Sequence, residues 1–321
     1  MIADPVLAAA LAPLLPFLAR PDVCEVMVNR PGQVWVEAAG APQMECHDVP
    51  ALDERALRRL AEQVARISHQ GVNRAQPLLG ATLPDGARIQ FVGPPATRTG
   101  WAMAIRRHRV VDLPLSAWAP QGPLALPPLP ETDGMAEDPL GWLAQAVAAR
   151  STVLIAGGTS SGKTTFLNAL LAQVPRGDRV LAVEDTPEIR LAQPNALGLV
   201  AVRGELGEAQ VDTDALLRAA LRLRPDRIVL GELRGAEAIT FLRAINTGHP
   251  GSFTTIHANS CTGALEQLAL LVMQAGLGLA RRETLHYAAQ VIDVVVHLGR
   301  QDGRRAITGM ALARDLVAGM A

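Results

Sequence analysis

The chain has almost no lysine: of 30 basic residues, 29 are arginine and one, Lys163, is lysine. Where a general cation suffices this sequence uses arginine, so the lone ammonium marks a position where a planar guanidinium fork does not serve. Aromatics are scarce too, 3% of 321 residues. That leaves no stacking platform for single-stranded nucleic acid. Cys24, Cys46 and Cys261 are odd in number and far apart, with no C-x-x-C pair. A disulfide framework and a structural zinc site are therefore disfavoured, and a reducing cytoplasm fits. A net charge of −1 excludes a global basic field for nucleic acid, although a local arginine patch could still serve. No uncharged apolar run approaches the ~20 residues of a membrane span. Residues 265–280 come nearest, and they contain Glu266, Gln267 and Gln274. The opening MIADPVLAAALAPLLPFLARPD lacks a basic leader and is broken by Pro13 and Pro16. It reads as a short amphipathic helix rather than a signal peptide, so any membrane contact is expected to be peripheral.

What is present is a globular composition, 49% apolar and 19% charged, long enough for about two domains. Residues 23–37 alternate apolar and polar on both sides of Asn29-Arg30-Pro31-Gly32, the pattern of a β-hairpin. Residues 53–68 carry Leu57, Leu60, Val64 and Ile67 at helical spacing, with Asp53 as cap. Strands are expected at 88–92 and 101–106, after the turn Leu83-Pro84-Asp85-Gly86. Residues 1–112 thus form an expected α+β domain on an antiparallel sheet. Residues 113–139 hold seven prolines and no periodicity, the composition of a linker that lets the halves move or exchange between neighbouring subunits. Residues 140–321 begin with a helix over 140–149. Strands at 153–156, 179–183, 227–230 and 251–256 then alternate with helices after the glycine-rich turn, at 214–223 and at 235–246. That alternation implies an α/β domain, a mostly parallel sheet with helices on both faces.

The sharpest signal is VLIAGGTSSGKTTFLNALLAQ, residues 153–173. A strand breaks into Gly157, Gly158, Thr159, Ser160, Ser161, Gly162, Lys163, Thr164 and Thr165, and a helix follows, matching G-x-x-x-x-G-K-[ST]. Glycines let successive backbone N–H groups curl around phosphate oxygens, and the new helix adds its positive end. Lys163 would reach the β- and γ-phosphates, and Thr164 would place its hydroxyl on Mg²⁺. The alternative is a chance Gly/Ser-rich turn, which the strand–loop–helix context disfavours. The reading is a nucleoside triphosphate site.

Other strands end on groups such a site needs, since ligands of open parallel sheets lie at the carboxyl ends. Glu232, after the apolar RIVLG, either organises Mg²⁺ or caps the following helix. Glu184 and Glu188 share one loop, and either orients water or caps the turn at Pro187. His257 either senses the γ-phosphate or is structural, and His249 lies in a turn. Arg88 and the run Arg106-Arg107-His108-Arg109 are either solvated strand ends or charges that close on the phosphates.

In this order, GGTSSGKTT, VEDTPEIRL, RPDRIVLGELRGAEA and TGHPGSFTTIHAN resemble the Walker A, Asp box, Walker B and His box of the secretion-ATPase superfamily. VMVNRPGQVWVE and LPDGARIQFVGPPATRTGWAMAIR resemble the amino-terminal domain of the type IV secretion traffic ATPases. The resemblance implies a RecA-like P-loop ATPase domain with a smaller N-terminal α+β domain, joined by the Pro-rich linker. It implies ATP and Mg²⁺ as ligands, held between the two domains, with Arg88 and Arg106 contacting the γ-phosphate. It also implies a homo-hexamer on the cytoplasmic face of the inner membrane, in contact with the other components of the secretion machine and with DNA or protein as cargo. A type II secretion or pilus-assembly ATPase, and a nucleotide-gated scaffold with little turnover, are the competing readings.

Overall fold

The computed structural model describes residues 4–107, 134–202, 210–276, 278–301 and 304–320. The expected linker lies outside the described residues up to residue 133.

The amino-terminal lobe starts with α1 (Pro5–Leu11), where the Asp4 carboxylate accepts the N–H groups of Val6 and Leu7. A 3-10 turn and α2 (Leu15–Leu18) follow. Then come β1 (Val23–Arg30), β2 (Gln33–Ala38), β3 (Glu45–Asp48), α3 (Glu54–Ile67), β4 (Leu78–Thr82), β5 (Arg88–Val92) and β6 (Ala102–Arg106). The strands form one antiparallel sheet in the order β3-β2-β1-β6-β5-β4. Asp53 caps α3 as expected, accepting from the Ala56 N–H at 2.7 Å. Leu57, Leu60 and Val64 of α3, with Leu7 and Leu11 of α1, bury one face of the sheet. Val26, Met27 and Val28 are all fully buried, so β1 is covered on both faces.

The second lobe contains α4 (Pro139–Ala148), β7 (Val153–Gly157), α5 (Lys163–Leu171), β8 (Val180–Glu184), β9 (Ala196–Val200), α6 (Thr213–Leu221), β10 (Arg227–Leu233) and α7 (Glu237–Asn246). It continues through β11 (Phe253–Ile256), α8 (Cys261–Gln274), α9 (Arg281–Val291), β12 (Val294–Gln301), β13 (Arg304–Leu312) and α10 (Ala313–Ala318). Its sheet runs β13-β12-β7-β11-β10-β8-β9 and is parallel except for β13, which pairs antiparallel with β12. Helices α4 and α5 pack on one face and α6 to α9 on the other.

The outer face of the first sheet closes the second core: Met27, Trp35, Val92, Ala102 and Ala104 pack with Leu197, Leu199, Leu223 and their neighbours. The loop before β6 adds itself to the edge strand β9, with Thr97 bridging Leu199 and the Val200 N–H bonding Ala96 O at 3.0 Å. Arg179, fully buried, donates to Asn29 Oδ1 at 2.6 Å, Asn195 Oδ1 at 2.5 Å and Leu223 O at 3.0 Å. Burial pushes its pKa down to about 9. Arg224 grips Glu37 across the same junction, with its Nε at 2.7 Å. Within one chain the two lobes share an apolar, hydrogen-bonded junction.

Candidate active site

Strand β7 is buried along its whole length and delivers Gly157 to the turn. Ser160 and Gly162 take left-handed conformations, φ 61° and 93°, which curl the backbone between strand and helix. Helix α5 opens on Lys163 with no side-chain cap, leaving its first N–H groups for a ligand. Residues 158–165 line a cavity of about 490 Å³, the size of a small-molecule site. Ser161 Oγ is buried there without a hydrogen-bond partner among the described residues, a donor that a phosphate oxygen would satisfy.

Lys163, 9% exposed, donates from Nζ to Gly157 O at 3.0 Å and Gly158 O at 3.3 Å. It lies 3.3 Å from His257 Nδ1 and 3.8 Å from Glu232 Oε1. Burial pushes its pKa down and the nearby Glu232 carboxylate pulls it back up. The β10–β11 ladder is irregular between Leu230 and Leu233, and that irregularity holds Glu232. Glu232 Oε1 meets His257 Nε2 at 2.8 Å, and Oε2 accepts from Arg234 Nε at 2.5 Å. Glu232 does not cap α7. The N–H groups of Arg234 and Gly235 go to Glu237 Oε1, at 2.6 and 2.8 Å.

Glu184, 3% exposed, has a different occupation. Its Oε2 accepts the N–H groups of Glu188 and Ile189, at 2.7 and 2.9 Å. Its other oxygen abuts the guanidinium of Arg98, which reaches in from the first lobe and also donates to Ile189 O at 2.8 Å. So Glu184 lines the cavity and shapes the loop beside it, while Glu232 and His257 face the lysine. Glu188 lines the cavity too. His249 does not: its Nδ1 meets Ala244 O at 2.8 Å, behind α7.

Arg88 and Arg106 are not near this cavity. They stand opposite each other on β5 and β6 and line a second cavity of about 1010 Å³, with Arg107, Arg222 and Arg224. His108 and Arg109 lie outside the described residues. The second cavity is bordered by the residues just before β10 and β11, hence by the amino ends of strands whose carboxyl ends carry the first. Strand rise alone separates the two by roughly 15–20 Å. The expectation that these arginines close on the phosphates therefore fails within a single chain, because the first lobe docks through the β9 edge and turns its β5–β6 end the other way.

Sequence reasoning missed four site residues. Arg234 lies on Glu232 and reaches Asp185 at 3.5 Å; Asp185 accepts from Thr213 Oγ1 at 3.0 Å. Arg98 and Arg305 arrive from distant segments. An acid–x–arginine pair, Glu232 and Arg234, was a readable signal; nothing local marks Arg98 or Arg305.

A family model described as "Type II/IV secretion system protein" matches residues 8–302. The chain belongs to that family. It is 36% identical to the type IV secretion system protein VirB11 of Bartonella quintana (strain Toulouse), covering 93% of this chain and 90% of that protein. It is 39% identical to the type IV secretion system protein PtlH of Bordetella pertussis, over 92% and 91% of the two chains. The crystal structure of the VirB11 ATPase from the Brucella suis type IV secretion system, in complex with sulphate, superposes with a TM-score of 0.88 at 34% identity. That match covers 98% of this chain and 96% of that one.

Proposed function

We propose that this chain is the ATP-hydrolysing motor of a type IV secretion machine, working as a homo-hexamer. The observation that carries the reading is the convergence of the only lysine, Lys163, with Glu232 and His257 over a capless helix start. Lys163 neutralises the β- and γ-phosphates, and the N–H groups of residues 158–165 wrap them. Glu232 aligns the attacking water, or takes its proton, as the γ-phosphorus–oxygen bond to ADP breaks and inorganic phosphate leaves. His257, bridging Glu232 and Lys163, feels the loss of the γ-phosphate and passes it to β11.

Among the described residues no group of three or more His, Cys, Asp and Glu could hold a metal. Mg²⁺ needs only one or two protein ligands beside the phosphates. Thr164 and Glu232 are the residues that would hold it, and it would supply charge neutralisation to the phosphates.

Residues 1–112 and 140–321 are read as two domains joined by 113–139. Arg88 and Arg106, remote from their own phosphate loop, are read as acting on the loop of the neighbouring copy. No helix among the described residues is long and apolar enough to cross a membrane. Association with the cytoplasmic face of the inner membrane is therefore read as peripheral, through other machine components, with DNA or protein as cargo.

Phosphate release by wild type, Lys163→Ala and Glu232→Gln tests the reading. Lys163→Ala is expected to abolish both binding and turnover, and Glu232→Gln to bind ATP while stopping hydrolysis. Equal turnover in wild type and Glu232→Gln would refute the role of Glu232. Tight ATP binding by a wild type that releases no phosphate, even as a hexamer, would leave the scaffold reading instead.

A further inference from the structure

Arg305 is the second residue of β13 and pairs with Arg300 across the β12–β13 hairpin. Its side chain lines the phosphate-loop cavity. It lies across Gly162: a β-carbon there would stand 3.0 Å from Arg305 Cδ, 3.5 Å from Nε and 3.6 Å from Nη1. Arg305 is exposed, and its guanidinium has no hydrogen bond or ion pair among the described residues. Arg234, the other arginine of this cavity, is already held by Glu232 and Asp185. An unpaired guanidinium laid over a phosphate loop is a group waiting for an anion or a flat ring.

The sheet order says which part of a nucleotide it meets. Glu232, His257 and Asp185 come from or follow β10, β11 and β8, all on one side of β7. Arg305 comes from the β12–β13 hairpin on the other side. A triphosphate whose γ-end faces Glu232 and His257 therefore turns its α-phosphate and nucleoside toward Arg305. Among the described residues no Phe, Tyr or Trp lines the cavity, and Arg305 is the flat group on that side. A guanidinium plane both stacks on a ring and pairs with a phosphate, which a lysine in its place would not do.

We infer that Arg305 holds the nucleoside and α-phosphate end of a bound nucleotide, and so contributes to affinity for ADP and ATP alike but not to the hydrolytic step. The inference rests on the nucleotide site proposed above.

Equilibrium binding and steady-state turnover of the full chain test it, with wild type, Arg305→Ala and Arg305→Lys. The probes are ADP, a non-hydrolysable ATP analogue and inorganic pyrophosphate, which fits the loop but has no nucleoside end. Arg305→Ala is expected to weaken ADP and the ATP analogue by the same factor, about tenfold, the worth of one charge-assisted contact. It should raise KM likewise, with kcat at saturation and pyrophosphate affinity unchanged. Arg305→Lys, which keeps the charge but not the fork, should recover only part of the loss. Unchanged ADP affinity in Arg305→Ala, an equal loss of pyrophosphate affinity, or a fall in kcat at unaltered KM would each overturn the assignment. A wild type that binds neither ADP nor the analogue would instead overturn the nucleotide site itself.

Discussion

Glu25 projects from β1 toward the second cavity and is almost fully buried, 3.5 Å from Arg106. Burial pushes its carboxyl from the ordinary 4.5 up to about 7; Arg106, Arg224 and Arg179 pull it down and Glu37 pushes it further up. A raised carboxyl pKa means the folded chain holds a proton that the unfolded chain has released. Stability then falls as pH rises from about 4.5 through about 7, by on the order of 3 kcal/mol from this group alone. Glu25→Gln should remove that slope, so its urea midpoint should exceed that of wild type at pH 8 and match it near pH 4. Parallel pH profiles for the two would show that Glu25 ionises freely in the folded chain. Arg98 offers a second residue-scale test. It is the cation against the buried Glu184 carboxylate, and Gly198 leaves room for it: a β-carbon there would sit 2.7 Å from Arg98 Cδ. Arg98→Ala strands a buried carboxylate and should cost about 3–5 kcal/mol in denaturant melts. Arg98→Ala paired with Glu184→Gln should recover most of that loss.

Among the elements, those with a clear period were legible in the sequence and those without one were not. The β1–β2 hairpin, α3, β5, β6, β7, α5, β10 and β11 fall within a few residues of where alternation, helical spacing or apolar runs put them. The strand β3 has the sequence ECHD, half-exposed at the sheet edge, and its composition reads as loop. Strand β9, ALGLV, carries a glycine mid-strand because Arg98 needs the space, so its pattern is blurred by a contact with another lobe. Everything after His257, from α8 to α10, went unassigned, and with it the strand that bears Arg305. Helix α3 predicts its own energetics: Leu60 is fully buried between the sheet and α1, and Leu60→Ala should destabilise the chain by about 2–5 kcal/mol. Within the phosphate loop, Gly162 stands at φ 93° with Arg305 against it. Gly162→Ala should add about 1–2 kcal/mol of left-handed strain and abolish nucleotide binding, read by calorimetry, while the melting profile shifts only slightly.

On the scale of the whole molecule, the two cavities lie at opposite ends of one set of parallel strands, and Arg88 and Arg106 of the first lobe belong to the far one. If each copy lends Arg88 and Arg106 to its neighbour, a mixture of two inactive variants should regain activity. Lys163→Ala subunits supply arginines, Arg88→Ala/Arg106→Ala subunits supply phosphate loops, and mixed assemblies contain joined interfaces. Phosphate release by the mixture should exceed that of either variant alone; no gain in demonstrably mixed assemblies would place the arginines outside the reaction. The phosphate loop, its lysine and the acids at strand ends were determined by the sequence alone, because each depends on residue type at fixed spacing along a few neighbouring positions. Which acid faces the lysine, which arginine stands free over the loop, and which cavity Arg88 and Arg106 enter were decided only by tertiary structure. Those choices depend on how strands and sheets are brought together, and residues far apart along the chain carry no local record of it.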